Sequence, residues 1–281
     1  MKFNRVSGDP AAIPCRDAAT IMWLRSTSAT GLEVLMLRRN LQSDFVGGAY
    51  VFPGGAVDPE DAMVGTDSRV HGRSDSECSM KLGLAAGGSA FWVAAIRESF
   101  EEAGLLAARH ATGESLSFSD PDTAATFVED RKKVDVGSLS MAELCAAHDL
   151  SLELDRIHYF SRWITPLGAP RRYDTRFFVG LAPESQEPLH DDHEVIANEW
   201  VTPTEALARH EAGDFDLVFP TVRSLESLCR FDNAEDVLSH ARRIDQVEAV
   251  IPVIEDSPHG VRILLPGDRV FDAATSRPIL D

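Results

Sequence analysis

One nine-residue segment, Arg97-Glu98-Ser99-Phe100-Glu101-Glu102-Ala103-Gly104-Leu105, constrains this chain more than any other. At 100° per residue, with Glu98 at 0°, Glu101 falls at about −60° and Glu102 at about +40°, so three carboxylates share an arc of about 100°. On the same wheel Trp92, Val93, Ile96, Phe100 and Ala103 lie between about 120° and 220°. The spacing predicts a helix over about 90–104 that ends at Gly104, buries one face and presents three acids on the other. Glu101 and Glu102 sit in the last turn, where the macrodipole is negative and acids are unfavourable. The only cation within one turn is Arg97, placed to pair with Glu101 at i,i+4. Two readings stand at this point: a solvated acidic face, or a set of hard oxygen ligands for Mg²⁺ or Mn²⁺.

Around this helix the chain reads as mixed α/β. Residues 19–25 and 32–38 are apolar runs separated by a Ser/Thr/Gly turn, the pattern of a β-hairpin. Tyr50-Val51-Phe52 reads as a strand stopped by a Pro53-Gly54-Gly55 turn. Residues 61–90 are rich in Gly and Ser without periodicity, which predicts a flexible surface insertion at 62–89. Residues 107–155 read as an acidic helical insertion, with helix starts at Asp120-Pro121 and at the Ser140–Glu143 capping box. Strands are predicted at 157–164, 173–181 and 195–201, and helices from Pro203, from about Thr221 and over about 234–246. A hairpin over 249–266 follows. There is no internal repeat, and the order is not that of a doubly wound βαβ series.

Composition excludes several functions. The 281 residues carry a formal charge of −18 with 44% apolar residues, so the chain has an ordinary globular balance and a poor charge for nucleic acid. Only four of the 27 basic residues are Lys, a bias that codon usage in a GC-rich genome explains more simply than anion recognition does. Cys15, Cys78, Cys145 and Cys229 are scattered with no CxxC pair, which points to free thiols and a reducing compartment. The most apolar stretch, 84–96, is too short and too Gly-rich to span a bilayer. Neither terminus shows an address signal, so the expected location is cytoplasmic. No P-loop or GxSxG elbow is present.

Phe52-Pro53-Gly54-Gly55-Ala56-Val57-Asp58-Pro59-Glu60-Asp61, followed by Arg97-Glu98-x-x-Glu101-Glu102-x-Gly104-Leu105, resembles the Nudix box GX5EX7REUXEEXGU. The resemblance implies an α/β/α sandwich with a mixed sheet, dependence on Mg²⁺ or Mn²⁺, and cleavage of a nucleoside diphosphate linked to another moiety. It places metal ligands at Gly55, Glu98, Glu101 and Glu102, with Arg97 orienting the carboxylates and Glu98 or Glu194 as the base. Three departures are visible. Asp61 stands where the pattern has Glu, with Glu60 adjacent, and Ser99 replaces an apolar residue. The spacer, 62–96, exceeds the pattern by about 28 residues. A box split in this way, with RYDTRFF and LLPGD further on, resembles the coenzyme A and acyl-CoA diphosphatase branch. For coenzyme A the products would be 4′-phosphopantetheine, or its acyl form, and adenosine 3′,5′-bisphosphate. ADP-ribose, NADH and dinucleoside polyphosphates are rival substrates, and a degenerate nucleotide-binding module is a rival of another class.

The resulting domain expectation is a Nudix domain over 18–230, holding both insertions, with a helix and hairpin extension at 231–281 packed on it. Residues 156–180 hold five arginines against Asp174 alone, while 182–200 is acidic without a base. This segregation predicts a phosphate-binding strand with Arg171, Arg172 and Arg176, and Arg38 and Arg39 are further phosphate contacts. Ion pairing between the two stretches is the competing explanation. His190 and His193 are spaced for zinc, but their oxygen-rich surroundings argue against it. The expected partner is a small-molecule nucleoside diphosphate derivative, with no nucleic acid and no membrane, and homodimerisation is left open.

Overall fold

The computed structural model describes residues 13–42, 47–65, 69–191, 193–257, 260–265, 271–272 and 277–278. Strands β1 (Cys15–Thr27) and β2 (Gly31–Arg39) form the expected hairpin, with Leu24 opposite Val34. Then come β3 (Tyr50–Val51) and β4 (Gly54–Ala56), α1 (Pro59–Gly65), β5 (Val70–His71), α2 (Asp75–Leu82) and α3 (Ser89–Ala103). β6 (Ala108–His110), α4 (Pro121–Asp135), α5 (Met141–Ala147) and β7 (Leu150–Glu153) make up the second insertion. β8 (Ile157–Ile164), β9 (Arg172–Leu181) and β10 (Val195–Val201) return to the core, followed by α6 (Pro203–Ala212), α7 (Phe219–Leu228) and α8 (Ala234–Arg242). β11 (Ala249–Val250) and the hairpin of β12 (Val253–Ser257) with β13 (Gly260–Leu264) follow, and β14 (Phe271–Asp272) pairs with β15 (Arg277–Pro278).

The central sheet runs β10-β2-β1-β9-β8-β11, with β3 added to β2 and β4 to β1. It is mixed: β1 pairs antiparallel with β2 and parallel with β9. Because successive strand residues point to opposite faces, each strand feeds two cores. Ile21, Trp23, Leu35, Leu37 and Phe178 pack against Trp92, Ile96 and Phe100 of α3 on one face. Met22, Leu24, Val34, Met36 and Val179 pack against Leu225, Leu228, Val237 and Leu238 of α7 and α8 on the other. The result is the expected α/β/α sandwich. Fully burying side chains of this size contributes about 1.5–3 kcal/mol each, so both layers are needed to hold the sheet.

Three local expectations are corrected. The 62–89 insertion is not a loose surface loop: α1 and α2 deliver Val64, Cys78 and Leu82 into the α3-side core. α2 opens on a capping box of Ser74 and Glu77 and closes at Gly83, a start and stop signal that Gly and Ser richness obscured. Gly54-Gly55 is not only a turn, because it continues as β4 along β1, with Gly55 opposite Ala19. The 107–155 insertion has the two predicted helices, each with its predicted cap, but its β7 also pairs with β6 on one side and β5 on the other in a small separate sheet.

Candidate active site

α3 ends where Gly104 takes the left-handed conformation, its N–H bonding Phe100 O. All of its residues except Glu98 and Glu101 are buried. This alters the wheel-based picture, because the acidic side is covered rather than presented to solvent. The Glu98, Glu101 and Glu102 side chains are only 13%, 15% and 6% exposed. Ser99, the departure from the apolar pattern, accepts a 2.6 Å hydrogen bond from Trp23 Nε1 and donates to Leu105 O, so its hydroxyl is satisfied in the core.

Arg97 organises the carboxylates. Its Nε and Nη2 grip Asp61 Oδ1 and Oδ2 at 2.9 and 3.0 Å, a bidentate pair. Nη2 also donates to Ala56 O at 2.8 Å, and Nη1 is shared between Glu98 Oε1 at 2.9 Å and Glu101 Oε2 at 2.8 Å. Asp61 is 1% exposed while Glu60 is exposed, so Asp61 takes the box position that the sequence left between them. The shorter acid reaches because α1 starts directly after β4, and Asp61 also receives the Asp58 N–H.

The glycine loop closes the other side. Gly54 N donates to Glu102 Oε2 at 3.0 Å. A Cβ on Gly54 would lie 2.5 Å from Ala19 O, and one on Gly55 would lie 2.5 Å from Glu98 Oε1. Only glycines allow this approach of backbone to carboxylate. Arg39 stands beside Glu102 at 3.8 Å and Glu194 at 3.7 Å, with its own Nε buried and unpaired among the described residues. Glu194 is held near the site by its carbonyl, which accepts from Asn40 N, and by the Asp191 side chain, which accepts from Glu194 N.

The electrostatics follow from this crowding. Burial, against the opposing pull of Arg97, pushes the Glu98 carboxyl up to about 7 and Glu101 up to about 8. Burial and the nearby Glu98 raise Glu102 well above the usual carboxylate range, and burial raises Asp61 as well. Burial disfavours the Arg97 charge, but Asp61, Glu98 and Glu101 outweigh it and hold its pKa above the ordinary value. Asp61, Glu98 and Glu101 share one buried guanidinium, and Glu102 has Arg39 at 3.8 Å, so the set is short of positive charge.

Whether these residues suit a divalent cation can be judged from the donors. They are all oxygen, Glu98 Oε2 and Glu101 Oε1 have no protein donor among the described residues, and the Gly55 cradle admits no Cβ. That chemistry fits a hard cation. Among the described residues no three His, Cys, Asp or Glu side chains are closed around one point. The acids stand as an open set around Arg97.

The predicted arginines divide. Of the pair on β2, Arg39 reaches the carboxylates, whereas Arg38 lies on the opposite face over the Tyr50 ring. Arg176 is 2% exposed, bonds Asp17 at 2.7 Å and packs on the Phe91 ring, two strands from Gly55. Arg172 donates to Thr165 O, and Arg171 is exposed ahead of β9. Arg162 makes a bidentate pair with Asp174. The basic stretch is therefore largely answered within β8, β9 and β1, and not by the acidic 182–200 stretch. His190 bonds Asn198.

An α/β/α sandwich with an arginine-centred acid set under a Gly-Gly loop is the arrangement of a Nudix hydrolase, and known proteins agree. The family model of the NUDT19 Nudix domain matches residues 75–228, and the chain belongs to that family. It is 28% identical to the acyl-coenzyme A diphosphatase NUDT19 of Homo sapiens, over 88% of this chain and 74% of that protein. It is 29% identical to the Gallus gallus protein of the same name, over 91% and 79%. Among solved structures, a NUDIX hydrolase from Alicyclobacillus acidocaldarius superposes with TM-score 0.64 at 30% identity, covering 81% of this chain and 97% of that one.

Proposed function

We propose that the chain is a Mg²⁺- or Mn²⁺-dependent diphosphohydrolase of coenzyme A or acyl-CoA. It would release 4′-phosphopantetheine, or its acyl form, and adenosine 3′,5′-bisphosphate. The observation that carries the reading is the Arg97 hub, in which Asp61, Glu98 and Glu101 are fixed by one guanidinium beside Glu102 and the Gly54-Gly55 loop. Its support for substrate is the likeness to proteins named acyl-coenzyme A diphosphatase across most of the chain.

Glu98, Glu101, Glu102 and the Gly55 carbonyl would hold the cation. When bound, it neutralises diphosphate charge and makes water more acidic. Arg97 keeps one oxygen of Glu98 and one of Glu101 engaged, leaving the other on each side chain for the site. Arg39, whose Nη atoms lie between Glu102 and Glu194 and whose Nε has no partner among the described residues, would turn toward a substrate phosphate. Glu98, with one oxygen free of Arg97, and the exposed Glu194 would be the two groups to take a proton from the attacking water. Water and the diphosphate exchange one P–O bond for another, giving two phosphomonoesters. We read the four scattered cysteines, with no CxxC pair, as thiols suited to a reducing, cytoplasmic setting.

A panel of coenzyme A, acyl-CoA, ADP-ribose, NADH and diadenosine polyphosphates with Mg²⁺, read by product mass, tests the proposal. Fastest turnover of the CoA compounds supports it. Preference for another member assigns the rival substrate, and no turnover of any favours a binding module.

A further inference from the structure

The catalytic helix is gripped at both ends by residues from the two insertions. At its N-terminus Gly88 offers no side-chain cap, and Asp75 of α2 supplies one: Oδ1 accepts from Ser89 N at 3.0 Å and Ser89 Oγ at 2.6 Å, and Oδ2 accepts from Gly87 N at 2.9 Å. At its C-terminus the Glu101 carbonyl, one of the groups a helix end leaves unpaired, receives two bonds from Arg131 of α4. Nε donates at 2.9 Å and Nη2 at 2.8 Å. A carboxylate thus meets the positive end of the helix and a guanidinium the negative end.

The C-terminal grip does more than cap. The third Arg131 donor, Nη1, bonds Leu189 O at 2.6 Å, and Leu189 N bonds Ala103 O at 2.9 Å. Two residues further on, Asp191 accepts from His193 N, Glu194 N and Val195 N, fixing the turn that carries Glu194. Arg131 is 6% exposed, and its planar fork ties two segments together through three donors. One segment bears Glu101 and Glu102, and the other bears Glu194.

We infer that Arg131 is a positioning residue for hydrolysis, fixing the Glu101–Glu102 end of the catalytic helix and the Glu194 loop relative to each other, while Asp75 serves the same helix as a stabilising cap only. This rests on the proposed diphosphohydrolase reading for its kinetic consequence, but its structural half does not. The second insertion is then part of the catalytic scaffold and not an appendage.

Asp75 and Arg131 lie at opposite ends of a helix about 20 Å long, so each controls for the other. In Arg131→Ala, kcat on whichever substrate the wild type turns over falls by about 10- to 100-fold while KM changes less than about threefold, as expected for misplacement near 1 Å. Arg131→Lys, a point charge without the fork, recovers only part of that loss. Asp75→Ala lowers the melting temperature and leaves kcat per folded molecule unchanged. Hydrogen exchange reads the same inference without activity. Arg131→Ala accelerates exchange in both 100–106 and 189–195, whereas Asp75→Ala accelerates it only near 87–93. Faster exchange in one of the two Arg131 segments alone, or wild-type kcat in folded Arg131→Ala, overturns the inference. An inactive wild type with paired exchange changes would instead sink the hydrolase reading and leave the coupling standing.

Discussion

Gly55→Ala separates function from stability at a single methyl group. The added Cβ would lie 2.5 Å from Glu98 Oε1 and 2.6 Å from Oε2 and Cδ. Ordinary contact needs about 3.4–4 Å, so the carboxylate must retreat by about 1 Å. That retreat stretches the 2.9 Å bond from Arg97 Nη1 toward about 4 Å and breaks it. The obstacle is the end of a flexible side chain, and alanine restricts the unfolded chain more than glycine does. The net stability change should therefore be about 1 kcal/mol or less. Activity is far more sensitive, since a displacement near 1 Å costs about 100-fold, or about 2.7 kcal/mol of activation free energy. The assay is kcat on the preferred substrate beside urea denaturation of the same preparation. Activity within about threefold of wild type would refute the claim that the Gly55 approach sets Glu98.

Other variants test other joints. Asp61→Ala leaves the buried Arg97 charge without its bidentate partner and should cost about 3–5 kcal/mol in urea denaturation, while the exposed Glu60→Ala should stay within about 0.5 kcal/mol; equal effects would contradict the assignment of Asp61 to the box. Ser99→Val, which restores the apolar pattern, should destabilise by about 1–3 kcal/mol because the Trp23 indole N–H loses its acceptor, and a neutral result would show that this bond contributes nothing to stability. Glu98 and Glu101 are raised to about 7 and about 8. The folded form therefore holds their protons more tightly than the unfolded chain, and the stability they contribute is full below about pH 4.3 and is lost as pH rises through 7–8. In EDTA the melting temperature should fall across that window, and Glu101→Gln should flatten the fall; identical profiles for the two proteins would contradict the burial of Glu101.

Local signals in the sequence carried much of this structure. The α3 wheel, Gly104 and the Ser140–Glu143 box act within a few residues, and the helices form where they place them. What a wheel cannot show is which element covers a face. The acids of α3 are buried because α1 and β4 lie across them, and α1 belongs to a segment whose Gly and Ser content masked the Ser74–Glu77 cap beside it. Charge counting failed on β8 and β9 for a related reason. Arg162 and Asp174 are 12 residues apart in sequence but neighbours across the ladder, so the apparent positive stripe is largely paired. The sequence left the box position open between Glu60 and Asp61, and only the fold, through the bond to Arg97, separates them. Arg131 had no local signal, since its partner is a main-chain carbonyl 30 residues away.

Hydrolysis of an acyl-CoA in ¹⁸O-water with Mg²⁺, followed by mass analysis of both products, decides whether the Arg97-centred acids cleave a phosphoanhydride. The expected products are 4′-phosphopantetheine in its acyl form and adenosine 3′,5′-bisphosphate, with one ¹⁸O on a single phosphate of the pair, the thioester intact, and loss of turnover in Glu101→Gln. Label in a free fatty acid, or full turnover by Glu101→Gln at saturating Mg²⁺, would contradict the assignment.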